Sequence, residues 1–516
     1  MTSRRAVWAA AALPLLFIGY FFLYPLARIL WLGISELQVA DLLGERRIAR
    51  VAWFTLWQAA ASTGLTLLVA APLTWAVSRF EFPGRRLAQA LVIVPFVLPT
   101  VVVGTAFAAL GWRDSVGAIL AAHVFYNVAV VVRTVGGMWA RLDRKVEEAA
   151  AMLGASPWRV FRTVTFPILR PAVIAAASIV FLFTFTSFGT VLILGGFRYS
   201  TVEVEIYRQA VTLFDLPMAA ALSIGQMIAV TALLTLYARR QERTASPLVL
   251  APETSTRRHP EGRTAVAVAV SVVASLVALA IPPSVLVARA AADGGFRRLF
   301  VDEPVLGRPI EAVPTSFSFA IVATVIAVVV GICAAYVISR RGSRLSQWFD
   351  VVLMLPLGTS AVTIGFGFLI ALDWPIDLRA TVALVPLAHA LVAVPFVVRA
   401  TVPLMRSIHP SVREAAAMLG ASPARVFRYI DLPIVARAAL VGAGFAFVVS
   451  LGEFGATAFI ARPNTVTIPV MIFRLLGRPG LGNFAAAMAL ATVLGAITAA
   501  AIMVMDRFRS TDLGTF

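Results

Sequence analysis

Long apolar runs recur along the whole chain, separated by short segments rich in arginine, glycine and proline. The apolar residues within each run are continuous and do not alternate with polar ones, which favours membrane helices over barrel strands. A bilayer core about 30 Å thick needs about 20 apolar residues in helical form. Twelve runs reach that length: 6–32, 52–78, 88–111, 116–139, 166–195, 217–238, 264–290, 315–339, 349–372, 380–404, 433–460 and 482–506. The pattern therefore predicts an all-α integral membrane protein with about twelve transmembrane helices.

Composition and charge agree with membrane integration. The 516 residues are 60% hydrophobic and only 14% charged, with a formal net charge of +18. Because the arginines flank the apolar runs, the charge indicates membrane topology and not a nucleic-acid partner. Arginine is concentrated in the connections that share a side with the N-terminus, so the positive-inside rule places both termini in the cytoplasm of a bacterial inner (cell) membrane protein. The first run, which follows Arg4 and Arg5, is too long for a cleaved signal peptide.

An internal repeat divides the chain. The decamer EAAAMLGASP occurs at 148–157 and again at 414–423, 266 positions later. His123 and His389 have the same spacing, as do Arg133 and Arg399. We therefore predict two parallel six-helix halves, related by a pseudo-two-fold axis along the membrane normal. Their predicted limits are 1–240 and 263–516, with the polar segment 241–262 as a cytoplasmic linker.

Each decamer predicts a pair of short helices at the membrane surface. The acid and the alanines favour a helix that Gly154 ends, and Ser156 with Pro157 begins the next helix. An amphipathic connector that rests on lipid is the alternative. Because lipid binding needs only a pattern, two identical copies on one side favour a docking site for another protein. We name residues 143–166 and 409–432 the coupling segments.

The coupling segments resemble a known motif. Glu-Ala-Ala, a glycine a few residues later and an apolar-Pro end are similar to the cytoplasmic coupling loop of permeases in binding-protein-dependent (MetI-like) ABC importers, here of the fused two-domain type. The resemblance implies that each segment docks on one of two copies of a cytoplasmic ABC ATPase, and that an extracytoplasmic solute-binding protein delivers the solute. The expected coupling residues are Glu148, Ala149, Ala150, Gly154, Pro157, Glu414, Ala415, Ala416, Gly420 and Pro423.

The chain lacks the residues for ATP hydrolysis. Its single lysine, Lys145, lies in RLDRKVEE, so it has no phosphate-binding G-x-x-x-x-G-K-[ST] loop. We therefore expect a transport subunit and not an enzyme, with no cofactor of its own, and with ATP and Mg²⁺ bound by the separate ATPase. An ion-coupled secondary transporter would need acids at mid-membrane depth, and a membrane enzyme would need convergent His, Asp or Cys groups. The sequence shows little of either.

Two stretches with glycine and polar residues, 184–196 and 448–460, suggest the solute pathway. Glu453 lies about 20 residues after the start of its run, or about 30 Å along a helix, which places it near the outer face. There it could contact a cation or the binding protein; an acid hydrated at the interface is the alternative. The pathway candidates are Asn127, Ser187, Phe188, Glu453 and Phe454, with Glu203, Glu205 and Tyr207 as weaker ones.

The solute is the least determined feature. His123 and His389 could ligate iron, but no carboxylate or tyrosine cluster accompanies them in the sequence, so we expect a packing role and no metal site. The stretch 185–210 resembles thiamine permeases, and ferric-iron permeases share the fused architecture. A thiazolium cation would suit Glu453 and nearby aromatic rings. Thiamine or a related small cation is therefore the expected solute, with ferric iron as the alternative.

Overall fold

The computed structural model describes residues 4–35, 45–244, 257–339, 344–408, 410–463 and 465–510. Those residues form helices and their connections, with two isolated backbone bridges. The predicted all-α class is confirmed. Residues 245–256 of the predicted linker and His409, where the second coupling segment begins, lie outside the described residues.

The first half runs from α1 to α12. Its helices are α1 (Arg4–Ile18), α2 (Tyr24–Ser35), α3 (Arg46–Arg79), α4 (Arg85–Val97), α5 (Thr100–Ala109), α6 (Val116–Trp139), α7 (Arg144–Met152), α8 (Pro157–Val160), α9 (Phe166–Phe185), α10 (Gly189–Gly195), α11 (Val202–Tyr207) and α12 (Leu216–Thr244). Turns of π-helix join α1 to α2, α8 to α9, and α11 to the loop before α12.

The second half repeats this order. Its helices are α13 (Gly262–Ala292), α14 (Gly295–Arg298), α15 (Ala312–Ile338), α16 (Arg344–Gly358), α17 (Ala361–Ala371), α18 (Leu384–Ser407), α19 (Pro410–Met418), α20 (Pro423–Val426), α21 (Leu432–Gly452), α22 (Thr457–Ile460), α23 (Ile468–Leu476) and α24 (Leu481–Ser510). Short 3-10 turns precede α15 and α18.

Two of the twelve predicted spans are bent and not continuous. The helix pair α4–α5 turns by 98° within the run 88–111, and the pair α16–α17 turns by 96° within 349–372. At the first bend, Pro99 cannot donate a backbone hydrogen bond and Leu98 before it is extended. At the second, the Ser360 hydroxyl accepts a bond from the Val362 amide and starts a new helix. Ten described helices are long and apolar enough to cross a membrane, or 12 if each bent pair is one span.

Two further predicted spans end early. The run 166–195 forms α9 only as far as Phe185, and the run 433–460 forms α21 only as far as Gly452. The remaining residues fold into the short helices α10 and α22, so each run contains a break that its apolar composition hides. The breaks fall at equivalent places in the two halves, at Ser187 and Glu453.

Equivalent hydrogen bonds confirm that the halves share one architecture. The Val202 amide donates to the Thr55 hydroxyl at 3.0 Å, and the Ile468 amide donates to the Ser316 hydroxyl at 2.7 Å. These amides open α11 and α23, where no earlier helical turn supplies an acceptor. A side chain of the long helix α3 or α15 therefore satisfies the same backbone group in each half.

The halves interlock through their first helices. Helix α1 packs against α15 of the second half, and α13 packs against α3 of the first. Likewise α2 lies on α17, and α13 lies on α5. Each half thus buries apolar surface on its partner, so the two halves form one continuous core.

Both coupling segments lie at the same end of the molecule. The chain enters α13 beside the end of α3, where the Arg258 amide donates to the Arg79 carbonyl. Helix α13 leads away from this end and α15 returns to it, and Arg406 at the end of α18 donates to the Ile338 carbonyl at the end of α15. Because α19 follows α18 directly, the second coupling segment shares its end of the molecule with the first.

Helix α17 approaches the break after α21 so closely that only glycine fits. A Cβ atom at Gly365 would lie 2.6 Å from the Cα and 2.7 Å from the carbonyl oxygen of Ala456. Both neighbours are backbone atoms, which cannot rotate away. By contrast, a Cβ at Gly64, in the middle of α3, would meet nothing within 4 Å.

We expect Gly365→Ala to destabilise the protein by about 1–3 kcal/mol, because the added methyl group forces two backbones apart. Thermal unfolding of the purified protein in detergent measures this as a lowered midpoint. The matched control is Gly64→Ala, which adds the same methyl group to an open helical site and should leave the midpoint unchanged or raise it. Equal midpoints for the two variants would contradict the close approach.

Candidate functional site

The first coupling segment has the predicted form of two short helices. Asp143 caps α7 by accepting a hydrogen bond from the Lys145 amide at 3.0 Å. Gly154 ends it in the left-handed conformation, with φ of +83°. The Ser156 hydroxyl then accepts from the Arg159 amide and caps α8, whose first residue is Pro157.

The second coupling segment repeats this geometry. Gly420 has φ of +78°, and the Ser422 hydroxyl accepts from the Arg425 amide at the same 3.4 Å as its counterpart in the first copy. Ala415 and Ala416 lie on α19, as Ala149 and Ala150 lie on α7.

Two neighbouring apolar residues of each segment are almost fully exposed, and the sequence analysis did not single them out. Met152 and Leu153 are 90% and 89% exposed, and Met418 and Leu419 are both 89% exposed. They form the tip between the two short helices of each segment. Neighbouring apolar side chains that project into solvent mark a contact surface. The sequence carried the signal, since Met-Leu stands inside both decamers.

The two equivalent glutamates, Glu148 and Glu414, differ in their surroundings. Glu148 pairs with Arg144 of the same helix, with 2.7 Å between the charged atoms. Arg144 stands four residues before Glu148, whereas Pro410 stands four residues before Glu414. The copies therefore present the same fold and the same tip but a different charge next to it.

Within each coupling segment, the first short helix is tied to the π-helical turn that leads into the next membrane helix. Thr165 donates to the Glu147 carboxylate at 2.8 Å, and Arg79 of α3 contacts the same carboxylate. In the second half Arg413 donates to Asp431 at 2.9 Å. Positions 147 and 413, and positions 165 and 431, are equivalent at the 266-residue spacing. The hydrogen bond between the two positions is kept, but the donor and the acceptor have exchanged positions.

At the opposite ends of α9 and α21, histidines hold the two chain breaks. The His123 ring is 3.0 Å from the Ser62 hydroxyl through Nδ1 and 2.9 Å from the Ser187 hydroxyl through Nε2. His389 hydrogen-bonds Ser450 and Thr457, each at 2.7 Å. These contacts support the packing role expected for both histidines. Within the described residues, no group of three or more His, Cys, Asp or Glu could hold a metal ion.

Glu453 is buried and its carboxylate is fully engaged. It accepts from the amides of Ala456 and Thr457 at 2.9 and 3.0 Å and from the Thr457 hydroxyl at 2.5 Å, and it lies 3.4 Å from His389. The carboxylate thus caps α22 where α21 has ended. A direct contact with a cation would require this network to open. Its assignment to the pathway stays a prediction.

Aromatic rings from both halves meet where the two breaks face each other. Phe188 and Phe454, which are equivalent at the 266-residue spacing, stack with ring centroids 5.3 Å apart and planes at 24°. Tyr207 and Phe473, also equivalent, lie 6.3 Å apart, and Tyr207 contacts Phe188 and Phe459 at 5.5 and 5.4 Å. We name Phe188, Tyr207, Phe454, Phe459 and Phe473 the aromatic cluster. It closes the seam between the halves.

A cleft of about 630 Å³ leads towards this cluster from the end opposite the coupling segments. It lies between the end of α2, the residues that lead into α12, and the end of α17. Phe459 forms part of its wall. Arg28 and Arg379 line its rim. Arg379 is paired with Asp377 at 3.0 Å.

Two of the predicted residues, Asn127 and Glu205, make their described contacts within the first half. Asn127 is buried on α6, donates to the His123 carbonyl at 2.9 Å, and leaves its side-chain oxygen without a partner among the described residues. Glu205 pairs with Arg47 and Arg208, at 2.9 and 3.1 Å. The structure therefore unites Ser187, Phe188, Glu453 and Phe454 with Tyr207 of the weaker candidates, and the sequence analysis missed Phe459 and Phe473.

Comparison with known proteins identifies the family. The family model described as "Binding-protein-dependent transport system inner membrane component" matches residues 68–244 and again residues 327–509. The thiamine transport system permease protein ThiP of Brucella abortus is 30% identical over 485 residues, which cover 89% of this chain and 87% of that protein. The proteins of the same name are 28% identical in Salmonella typhimurium, covering 87% of each chain, and 27% identical in Escherichia coli, covering 82% of this chain and 83% of that one.

The two matched stretches take in both coupling segments and both sides of the aromatic cluster, and together they make up more than half of the chain. The chain is therefore a multi-pass membrane protein that belongs to the inner membrane components of binding-protein-dependent transport systems, and it carries two copies of their shared domain.

Proposed function

We propose that this chain is the transmembrane permease subunit of an ATP-driven, binding-protein-dependent importer of thiamine. The observation that carries the proposal is the similarity to thiamine permeases along nearly the whole chain, at 30% identity over 485 residues. The proposed halves are residues 1–240 and 263–516, joined by a linker at 241–262. The chain does not catalyse a reaction itself; it provides the solute path.

In this proposal each coupling segment docks on one copy of a cytoplasmic ATPase. Both segments lie at one end of the molecule and present a Met-Leu tip that is about nine-tenths exposed. Arginines around these segments support a cytoplasmic location of this end, and hence of both termini, under the positive-inside rule. The opposite end, where the cleft opens, faces the solute-binding protein.

ATP and Mg²⁺ belong to the partner subunit. Because the single lysine of the chain lies outside any phosphate-binding loop motif, nucleotide chemistry needs another polypeptide. Closure of two ATPase subunits would move the coupling segments and switch the seam between its closed and open forms, which is alternating access. A secondary transporter is disfavoured because the chain belongs to a family of binding-protein-dependent transport components.

Thiamine is the proposed solute on two grounds. The relatives named above are thiamine permeases. The seam is lined by aromatic faces, which attract a quaternary cation such as thiazolium. The ferric-iron alternative has no corresponding support in the described residues, where no metal-ligand cluster occurs.

The exposed tips give a first test. We expect the double variant Leu153→Arg, Leu419→Arg to insert and fold normally, because both side chains are 89% exposed, but to bind the ATPase at least about tenfold more weakly. Co-purification of the ATPase with the permease from membranes measures this binding.

The control for the tips is Leu481→Arg, which changes a leucine that is 90% exposed at the opposite end of the molecule. It should retain the ATPase. If the tip variant holds the ATPase as firmly as this control, the coupling segments are not the docking sites.

The aromatic cluster gives a second test. We expect the variant Phe188→Ala, Phe454→Ala to let thiamine leak out of loaded proteoliposomes without ATP, because removal of two stacked rings opens the seam. Each substitution also costs about 3–5 kcal/mol of stability. Phe96→Ala removes a half-buried ring whose described aromatic contacts are with Tyr126 and Phe183 of the same half, and so it controls for the loss of an aromatic ring outside the cluster. Retention of thiamine by the double variant at the level of this control would show that the cluster does not seal the path.

A further inference from the structure

Glu203 joins the two halves beside the aromatic cluster. It lies on α11 and is 0% exposed. Its carboxylate accepts a hydrogen bond from the Gln226 amide at 3.1 Å and another from the Ser360 hydroxyl at 2.6 Å. Gln226 belongs to the first half and Ser360 to the second. The contact with Ser360 therefore crosses the seam, at the bend between α16 and α17.

Glu203 differs from the other buried acids in its partners. The structure buries three acids in the described part of the chain: Glu203, Glu205 and Glu453. Glu205 contacts two arginines and Glu453 contacts His389. The described contacts of Glu203 are to uncharged groups. A buried carboxylate within a membrane protein is costly without a cation, and such groups mark the path of a charged solute.

Gln226 supplies a second, independent sign of a ligand. Its side chain is 3% exposed, and its amide nitrogen donates to Glu203. Its side-chain oxygen is buried with no hydrogen-bond partner in the part of the chain that the structure describes. A buried acceptor left unpaired is costly by itself. Next to a carboxylate, it offers a place for a donor group of the same ligand.

The carboxylate borders the closed seam. Tyr207 of the aromatic cluster lies one turn after Glu203 on α11, and residues four apart share a helix face. On the other side, Ala361 follows Ser360, and its Cβ would lie 2.9 Å from a Cβ at Gly455, next to Phe454. Separation of the halves at the Phe188–Phe454 stack would therefore also part Ser360 from Glu203.

This arrangement exists on one side of the pseudo-two-fold axis only. At the 266-residue spacing, Pro469 replaces Glu203 and Thr492 replaces Gln226. The Thr492 hydroxyl donates to a carbonyl of its own helix at 2.9 Å. Pro99 stands at the equivalent bend, where Ser360 stands in the second half. A single acid off the axis suits a solute that is itself asymmetric.

We propose that Glu203, with Gln226 beside it, is the group that receives the organic cation during transport. In the closed state the Ser360 hydroxyl donates a hydrogen bond to the carboxylate. When the seam opens, the carboxylate and the aromatic faces of Tyr207 and Phe188 become available to a quaternary nitrogen. The free oxygen of Gln226 accepts from an amino group, and thiamine carries both a thiazolium cation and an amine. This inference rests on the proposed function and adds the residue that selects the solute.

Charge and hydrogen bonding are separated by two variants. Glu203→Gln keeps the size of the side chain and one acceptor oxygen, but it removes the charge and replaces the other oxygen with an NH2 donor. Ser360→Ala keeps the charge but removes the bond across the seam and the hydroxyl that caps α17. Both are tested in proteoliposomes that hold the permease with its ATPase and binding protein. Uptake of labelled thiamine and ATP hydrolysis are measured together.

We expect Glu203→Gln to lower thiamine uptake at least about tenfold, the range for loss of one desolvated charge contact, while ATP hydrolysis stays within about twofold of wild type. Ser360→Ala should keep uptake within about threefold. The reverse pattern, normal uptake by Glu203→Gln and a defect in Ser360→Ala, would assign Glu203 to holding the seam and overturn the inference alone. Absence of thiamine uptake by the wild-type complex would overturn the proposed function together with the inference.

Discussion

The structure depends on one constraint: each backbone polar group buried away from water must find a partner inside the protein. A continuous helix meets this constraint by itself, but the chain interrupts its helices at two bends and at two breaks. Polar side chains supply missing bonds at the second bend, at the second break and at the starts of α11 and α23. Ser360 caps α17, Glu453 caps α22, and Thr55 and Ser316 accept from the first amides of α11 and α23. Polar residues inside apolar runs therefore mark where the chain turns towards the seam.

This constraint explains which features could be predicted from the sequence. The positions of the apolar runs follow from composition, which is a local property, and so do the coupling segments, because Gly154, Ser156 and Pro157 act on their own neighbours. The bend at Pro99 is hidden, since Leu98 and Pro99 stand inside an apolar run. Composition gives the length of a run but not its direction.

The candidate site was predictable in part for the same reason. Glycine and polar residues inside apolar runs pointed to Ser187, Phe188, Glu453 and Phe454. The contacts that give these residues a role join positions far apart in the chain, such as His389 with Glu453 and Phe188 with Phe454. Only the repeat carried information about such contacts. Equivalent residues of two parallel halves meet across the pseudo-two-fold axis when they lie close to it. The same reasoning finds Phe473 from Tyr207.

Equivalent contacts in the two halves have the same geometry but are made by different side chains. Ser187 and Glu453 occupy equivalent breaks and both contact the equivalent histidine, although one is neutral and the other an acid. Glu147 with Thr165 and Arg413 with Asp431 make the same tie with reversed polarity. A scaffold requires only that each pair be bonded, so the paired residues can differ. The decamer, in contrast, is identical in both copies, as expected for two surfaces that bind identical subunits.

The ties also explain how movement at one end would reach the seam. Helix α9 has 20 residues, and so it extends about 30 Å from its tie at Thr165 towards Ser187 and Phe188. Its backbone hydrogen bonds are internal except at the prolines near its start, Pro167 and Pro171, so movement at one end is transmitted along the helix as along a rod. Helix α21 does the same between Asp431 and Phe454. Each rod ends two or three residues before one ring of the stacked pair. Movement of one rod alone would slide the rings past each other, which offset stacking opposes by only about 0.5–1.5 kcal/mol. Movement of both in opposite directions parts the rings and, with them, Glu203 from Ser360. An importer built on this seam therefore gains from two coupling segments that are driven together.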